Sequence, residues 1–330
     1  MAFRVALASG ESFDAEADET LLVAALRAGI KLPHECTLGG CGTCRVKIVE
    51  GVVGYESQPL ALSEAEAASG YALACQARAR SDVAIEVPHV ELASPARYEA
   101  MITDLAPLSR DVMHLSLVLP DLATFAYRPG QHMNVFLEDG VHRSFSMASI
   151  PDGNGVDFHI RRIPGGRFTA GHLDTLQPGD LLDVEIPLGT FCYDEGDRRP
   201  LLMVATGTGI SPIKCILESL LDDPECPPVS LYWGMREEED LYLDEQIRGW
   251  EGRLRDFRYV PVLSRPGPEW KGRRGHVQQA ACEDLRDFAG HSIYLCGSPT
   301  MIRDAKREFL ERRASIDHIR VDGFNFQSRA

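Results

Sequence analysis

No run of apolar residues in this chain is long enough to span a bilayer, which excludes a membrane helix. Positive charge is also in short supply. The 34 Lys and Arg face 49 Asp and Glu, a formal net charge of -15. Surfaces that grip nucleic acid or anionic lipid need clustered Lys and Arg, so neither partner is expected; docking to a basic patch on another protein fits better. The opening Met1-Ala2-Phe3-Arg4-Val5 lacks a basic stretch followed by a long apolar one, so no signal peptide is read and a cytoplasmic protein is expected. Internal repeats and low-complexity tracts are missing too. The ten His are dispersed and form no pattern with carboxylates that would hold non-haem iron, so no oxygen-activating centre is expected. A disulfide framework is disfavoured, because nine cysteines is an odd count in a large chain.

Three of those cysteines are tightly spaced. Cys36, Cys41 and Cys44 stand at C-x4-C-x2-C, and Cys75 follows beyond a hydrophobic strand and a turn. This is the spacing of plant-type [2Fe–2S] sites, where four thiolates hold two irons. Gly39, Gly40 and Gly42 let the backbone wrap closely and aim N–H groups at sulfide. Four cysteines also suit tetrahedral zinc. Zinc sites usually pair two C-x2-C hooks, however, and Ala74-Cys75-Gln76 supplies no second hook. The remaining cysteines, Cys192, Cys215, Cys226, Cys282 and Cys296, are scattered, and by default such thiols are small buried hydrophobes.

Length and texture divide the 330 residues into three expected domains, 1–92, 97–196 and 197–330. In the first, Phe3, Val5 and Leu7 alternate as a strand, and Leu21 to Gly29 reads as a short amphipathic helix. Arg45–Val49 and Asp82–Val87 read as strands, and Ser63-x-x-Glu66 as a capping box. Pro88 to Ala96 reads as a linker. Short alternating strands follow, at Val112–Leu119, Met133–Leu137, Val156–Ile163 and Leu181–Ile186. Glycine turns separate them, which argues for an antiparallel barrel or sandwich. From Leu201 buried strands alternate with helical stretches: Leu201–Ala205, a helix Pro212–Leu221, Val229–Trp233, Phe257–Leu263 and Ser292–Leu295. That alternation implies a doubly wound parallel sheet.

Two motifs in the middle segment suit a flavin. Arg143-Ser144-Phe145-Ser146 offers a guanidinium fork for phosphate, a ring to stack on a flat heterocycle, and short hydroxyl donors. Further on come His159-Ile160-Arg161 and then Gly165-Gly166-Arg167-Phe168-Thr169, a cluster able to hold a pyrophosphate through backbone N–H groups, Arg and Thr. Alone, the tetrapeptide could equally be a surface Arg beside a core Phe.

In the last segment Gly207-Thr208-Gly209-Ile210-Ser211-Pro212 follows a buried strand and opens a helix, the context of a phosphate turn. Pro212 suits a first helical turn, and Ser211 reads as its cap. Next to it in function stands Arg236-Glu237-Glu238-Glu239-Asp240. Four acids repel a 2′-phosphate, so NADH is favoured, while Arg236 leaves NADPH as the lesser reading. The same acids would also suit a solvated helix start. Cys296-Gly297-Ser298-Pro299 again runs from a strand into a helix, with Cys296 either a plain core thiol or part of a site.

In this order the motifs resemble the reductase components of bacterial multicomponent, ring-hydroxylating oxygenases: a plant-type ferredoxin domain fused to a ferredoxin-NADP reductase-like module. The resemblance implies a multidomain chain with an α+β, β-grasp-like ferredoxin domain, an antiparallel β-barrel flavin domain and an α/β doubly wound nucleotide domain. It implies Cys36, Cys41, Cys44 and Cys75 as cluster ligands, with Phe145 on the FAD ring and Ser146 near its reactive nitrogen. Relatives often carry Tyr where Phe145 stands, a departure that keeps the stacking surface. Arg143, Ser144, His159, Ile160, Arg161, Gly166, Arg167, Phe168 and Thr169 complete the implied FAD site. Gly207, Thr208, Gly209, Pro212, Arg236, Glu237 and Gly297 belong to the implied nucleotide site. Cys296, beside the nicotinamide, is paired with Ser146 as the catalytic residues, and Phe324 in the tail would lie against the flavin. Electrons would run from NADH to FAD to [2Fe–2S] and on to a terminal oxygenase component (Rieske or di-iron) or an intermediate ferredoxin. Plant-type clusters lie near about −400 mV, so transfer to a Rieske centre would be downhill. A deoxysugar dehydratase of dideoxyhexose synthesis is the alternative acceptor, and a non-enzymatic zinc module the alternative of another class.

Overall fold

The computed structural model describes residues 2–34, 37–40, 42–87 and 94–323. Three large sheets follow one another along the chain, with a two-stranded ribbon of Val53–Gly54 and Arg78–Ala79 beside the first.

The first sheet runs in the order Ser12–Glu16, Ala2–Leu7, Val83–Glu86, Arg45–Glu50, Tyr71–Leu73. Ala2–Leu7 pairs parallel with Val83–Glu86, and the other pairings are antiparallel. Alternation aims Val5, Phe13, Val46 and Ile85 inward. Helix Leu21–Arg27 covers that face with Leu21, Leu22, Ala24 and Ala25. Thr20 caps it, its Oγ1 accepting from Val23 N at 3.3 Å, a contact of about 1 kcal/mol. A second helix, Glu64–Ala68, opens on the capping box formed by Ser63 and Glu66. This is the β-grasp-like α+β unit that the sequence implied.

The second sheet is antiparallel, in the order His142–Ser146, His132–Phe136, Leu181–Leu188, Ala96–Pro107, Val112–Val118, Gly155–Arg161. A bridge between Met147 and Phe158 joins its two ends and closes the barrel. Met133, Val135, Leu115, Phe158 and Val184 fill the interior. Two differences from the sequence pattern stand out. Ala96, the last residue of the expected linker, already begins the 12-residue strand Ala96–Pro107; residues 88–93 lie outside the described ones. The Arg143–Ser146 motif, just after the strand expected at Met133–Leu137, is itself part of the next strand, with Arg143 opposite Val135 and Phe145 opposite Met133.

The third sheet is wholly parallel: Arg273–Arg274, Arg258–Leu263, Val229–Met235, Leu201–Thr206, Ser292–Gly297, Ile319–Gly323. Trp233, Tyr294 and Met203 pack one face under helix Ile210–Ser219. Leu202, Val204 and Leu295 pack the other under helices Val277–Asp284 and Pro299–Leu310. The strand order reverses between Leu201–Thr206 and Ser292–Gly297, the switch point where such sheets bind ligands beyond their C-terminal ends. Among the described residues no helix is long and apolar enough to cross a membrane.

Candidate functional site

A cavity of ≈ 1760 Å³ opens where the three units meet. The barrel contributes Arg143 to Ser146, His159, Arg161 and the segment from Ile163 to Thr169. The parallel sheet contributes Gly207, Thr208, Gly234, Arg236 and Asp240, and the cysteine loop contributes Thr37 and Leu38.

On the barrel side the rings of Phe145 and Phe168 lie 5.1 Å apart and form an aromatic wall. Arg161 is anchored by Asp111, with Nε to Oδ2 at 2.8 Å, so its guanidinium is held at the cavity edge. Arg167 is paired with Asp139 at 2.7 Å on the rim. Thr169 Oγ1 accepts from Ile163 N at 3.2 Å, which fixes the turn through Gly166. There a Cβ would meet Thr169 Oγ1 at 2.3 Å, so this tight cradle requires glycine. Ser144 donates to Asn134 Oδ1 at 2.7 Å. An aromatic wall, anchored guanidinium groups and a glycine cradle suit a flavin and its pyrophosphate.

The parallel sheet presents Gly207-Thr208-Gly209 as a short 3-10 turn that leads directly into helix Ile210–Ser219. Ser211 is therefore not the cap. Gly209 takes that position, while Ser211 and Pro212 are buried inside the first turn of the helix. Gly209 packs so closely on the end of strand Ser292–Gly297 that a Cβ would lie 2.4 Å from Cys296 O. Reciprocally, a Cβ on Gly297 would lie 2.2 Å from Thr206 Oγ1. Thr206 Oγ1 accepts from Ser298 N at 3.1 Å and ties the two turns together. Two glycine-bearing turns crossing at the switch point, one at a helix start, suit a pyridine-nucleotide phosphate.

Not every expected residue reaches the cavity. Ile160 is fully buried in the barrel core, and Gly209, Pro212 and Gly297 lie beneath the wall they shape. Glu237 is exposed and caps the turn Glu238–Asp240; of the four acids in this run, Asp240 lines the cavity. Cys44 and Cys75 sit on neighbouring buried segments, joined by Ala74 N to Cys44 O at 2.9 Å. Cys36, Cys41 and Phe324 lie outside the described residues.

Ser146 and Cys296 are brought together by a residue the sequence did not single out. Asp322, on strand Ile319–Gly323, accepts from Ser146 Oγ at 3.0 Å and lies 3.7 Å from Cys296 Sγ. Its only signal in the sequence is its place in the tail Val321–Phe326. Behind it, burial pushes His132 below the usual histidine range, an effect that Asp322 opposes.

A wall suited to flavin, a turn suited to a pyridine nucleotide and the cysteine loop share one cavity, the layout of an iron–sulfur flavoprotein oxidoreductase. Comparison with known proteins agrees, unit by unit. Residues 6–80 match the 2Fe-2S iron-sulfur cluster binding domain, 99–193 the oxidoreductase FAD-binding domain and 203–307 the oxidoreductase NAD-binding domain. The first match decides for [2Fe–2S] over zinc. The chain is 32% identical to the CDP-6-deoxy-L-threo-D-glycero-4-hexulose-3-dehydrase reductase of Yersinia pestis, over 96% of each chain. It is 32% identical to terephthalate 1,2-dioxygenase reductase component 2 of a Comamonas species, over 89% of each. Among solved structures it is similar to the cytochrome P450 reductase GcoB of Amycolatopsis, with a TM-score of 0.73, 33% identity and 98% of each chain covered. The chain belongs to the family of three-domain ferredoxin–flavin–NAD reductases that includes the reductase components of bacterial multicomponent oxygenases.

Proposed function

We propose that this reductase takes electrons from NADH and delivers them to the oxygenase component of an aromatic ring-hydroxylating dioxygenase or monooxygenase system, directly or through an intermediate ferredoxin. The observation that carries this is the shared cavity: Phe145, Gly207 and Leu38 line one space, so flavin, nucleotide and cluster loop face one another. When bound, FAD accepts an electron pair from NADH and releases electrons singly, and the cluster takes them one at a time. The protein's part is to place and insulate these groups. Phe145 and Phe168 supply the flavin's stacking wall, Arg143, Arg161 and Thr169 its phosphate contacts, and Cys36, Cys41, Cys44 and Cys75 the cluster ligands. Gly207 and Thr208 seat the nucleotide over Gly209, while Ser146 and Asp322 line the place where the nicotinamide meets the flavin, with Cys296 buried behind Asp322. Asp240 in the cavity wall supports NADH over NADPH. Dependence on NADH supports a cytoplasmic location.

A deoxysugar dehydratase is the second acceptor to test, because a reductase named for such an enzyme matches over 96% of this chain. The purified protein, titrated anaerobically with NADH and then NADPH, should bleach flavin and cluster absorbance rapidly with NADH. Turnover with a purified ring-hydroxylating oxygenase, and none with a dehydratase, is the expected outcome; the reverse would move the protein to dideoxyhexose synthesis. A colourless protein that cannot be reconstituted would end the electron-transfer reading.

A further inference from the structure

Two charged residues are buried against each other across the contact between the iron–sulfur and nucleotide domains. Glu66 is fully buried and Lys306 is 4% exposed. Lys306 Nζ donates to Glu66 Oε2 at 2.6 Å and to the Ala61 carbonyl at 2.9 Å. The other carboxylate oxygen accepts from Arg45 Nη1 at 3.0 Å, and Ser63 N completes the shell at 2.8 Å. At the rim of the same contact the Tyr71 hydroxyl donates to Asp317.

Each of the two helices that carry the pair has its own anchor. Helix Glu64–Ala68 is already capped by Ser63, and helix Pro299–Leu310 is held by Met301, Ile302, Ala305 and Phe309 on its own sheet. A buried ion pair is also a poor source of stability, since desolvation of both charges offsets most of the attraction. What it can supply is a selected pose, because a displaced docking takes buried Lys306 away from both the Glu66 carboxylate and the Ala61 carbonyl that satisfy it. The pose has a consequence for the cavity. Helix Pro299–Leu310 leads into strand Ile319–Gly323, and a Cβ on Gly42, inside the cysteine loop, would lie 3.1 Å from Val321 Cγ2. Val321 adjoins Asp322, the partner of Ser146. The docked domain thus presses the cysteine loop against the strand that carries Asp322, while Thr37 and Leu38 enter the cavity wall.

We infer that Glu66 and Lys306 are positioning residues, an internal latch that fixes the iron–sulfur domain on the nucleotide domain and sets the distance for electron transfer from flavin to cluster. The latch rests on the electron path proposed above, so its test includes a readout independent of that path.

The test uses the full chain carrying its cofactors, with Glu66→Gln, which keeps the capping box, and Lys306→Met, which keeps the apolar stem. Amide hydrogen exchange is followed at residues 61–66 and 315–321. Rapid mixing with NADH follows flavin bleaching by absorbance and cluster reduction by electron paramagnetic resonance. Exchange at both faces should rise by on the order of tenfold or more, because Glu66→Gln strips buried Lys306 of its counter-charge and Lys306→Met removes the cation that reaches Glu66 from the other domain, leaving it with Arg45. Exchange in the strands around Val46 and Leu202 should not change. Flavin bleaching by NADH should be unaltered, while electron arrival at the cluster slows by a similar factor. Tyr71→Phe, at the rim, should shift both readouts the same way by less and guards against misfolding of the buried variants. Unchanged exchange at the interface in Lys306→Met and Tyr71→Phe would overturn the latch. So would raised exchange with no slowing of cluster reduction. Failure of the wild type to bleach with NADH would instead sink the electron path and leave the exchange result to judge the docking.

Discussion

Ser146 Oγ donates to Asp322 Oδ2 at 3.0 Å, so a barrel strand and the last strand of the parallel sheet meet at one hydrogen bond. The same carboxylate lies 3.7 Å from Cys296 Sγ. Asp322 therefore orients Ser146, which lines the cavity beside it, and touches Cys296, which is buried behind it. Asp322→Ala should slow NADH-driven flavin bleaching by about tenfold to a hundredfold, the cost of a small misplacement at a reacting centre. FAD content should hold, since no phosphate or ring contact is removed. Asp322→Asn keeps an acceptor for Ser146 and should lose less. Stopped-flow absorbance separates the two, and equal rates in all three proteins would remove Asp322 from the positioning role.

Gly297 has φ of 140° and no room for a side chain, with Thr206 Oγ1 at 2.2 Å and Thr206 O at 2.9 Å from a Cβ. Thr206 is also the acceptor for Ser298 N. Gly297→Ala should therefore force the two nucleotide turns apart. The expected loss is about 2–4 kcal/mol, from backbone strain and overpacking together. NADH binding should weaken with it. Gly267→Ala, with nothing within 4 Å of its Cβ, is the neutral control. A thermal midpoint as high as the control's would refute the close crossing.

Asp240 accepts from Glu237 N at 3.1 Å and turns toward the cavity beside Arg236 and Ser264. An acid here disfavours a nucleotide 2′-phosphate. Asp240→Asn retains the capping acceptor and removes the charge, so KM for NADPH should fall about tenfold while NADH changes little. Steady-state kinetics with both nucleotides decides it. An unchanged NADPH KM would place discrimination elsewhere on the wall.

What could be read from the sequence was what the backbone demands locally. The cysteine spacing, the glycine turns at Gly207 and Gly297 and the Ser63–Glu66 box each express a constraint within a few residues. Contacts made over long separations left no such mark. Asp322 is 176 positions from Ser146, and Lys306 is 240 from Glu66, whose capping role gave no hint of its second partner. Strand Ala96–Pro107 carries little alternation in the sequence, because only Ala100 and Ile102 in it are buried. Ser211 was misplaced because the turn Gly207–Gly209 is already helical, which moves the helix start ahead of the serine.

His159 is 8% exposed in the wall between barrel and nucleotide domain, with its Nδ1 3.3 Å from the Tyr242 hydroxyl. Burial, with Lys214 and His114 adding to it, pushes this histidine down to about 3. An unfolded histidine takes up its proton near about 6.5. Between those values the unfolded chain binds a proton that the folded chain refuses. Stability is thus intact above about 6.5 and is lost progressively as pH falls toward the folded value. At about pH 5 the loss from this one group is about 2 kcal/mol relative to neutral pH. His132, His142 and His291 are depressed in the same direction, so the wild type carries a steep acid limb to which His159 is one contributor. His159→Gln preserves an acceptor for Tyr242 but cannot titrate. Its thermal midpoint should fall by several degrees less than the wild type's on moving from neutral pH to about pH 5. Parallel acid limbs in the two proteins would mean that His159 takes up its proton in the folded state, and that this wall is wetter than its burial implies.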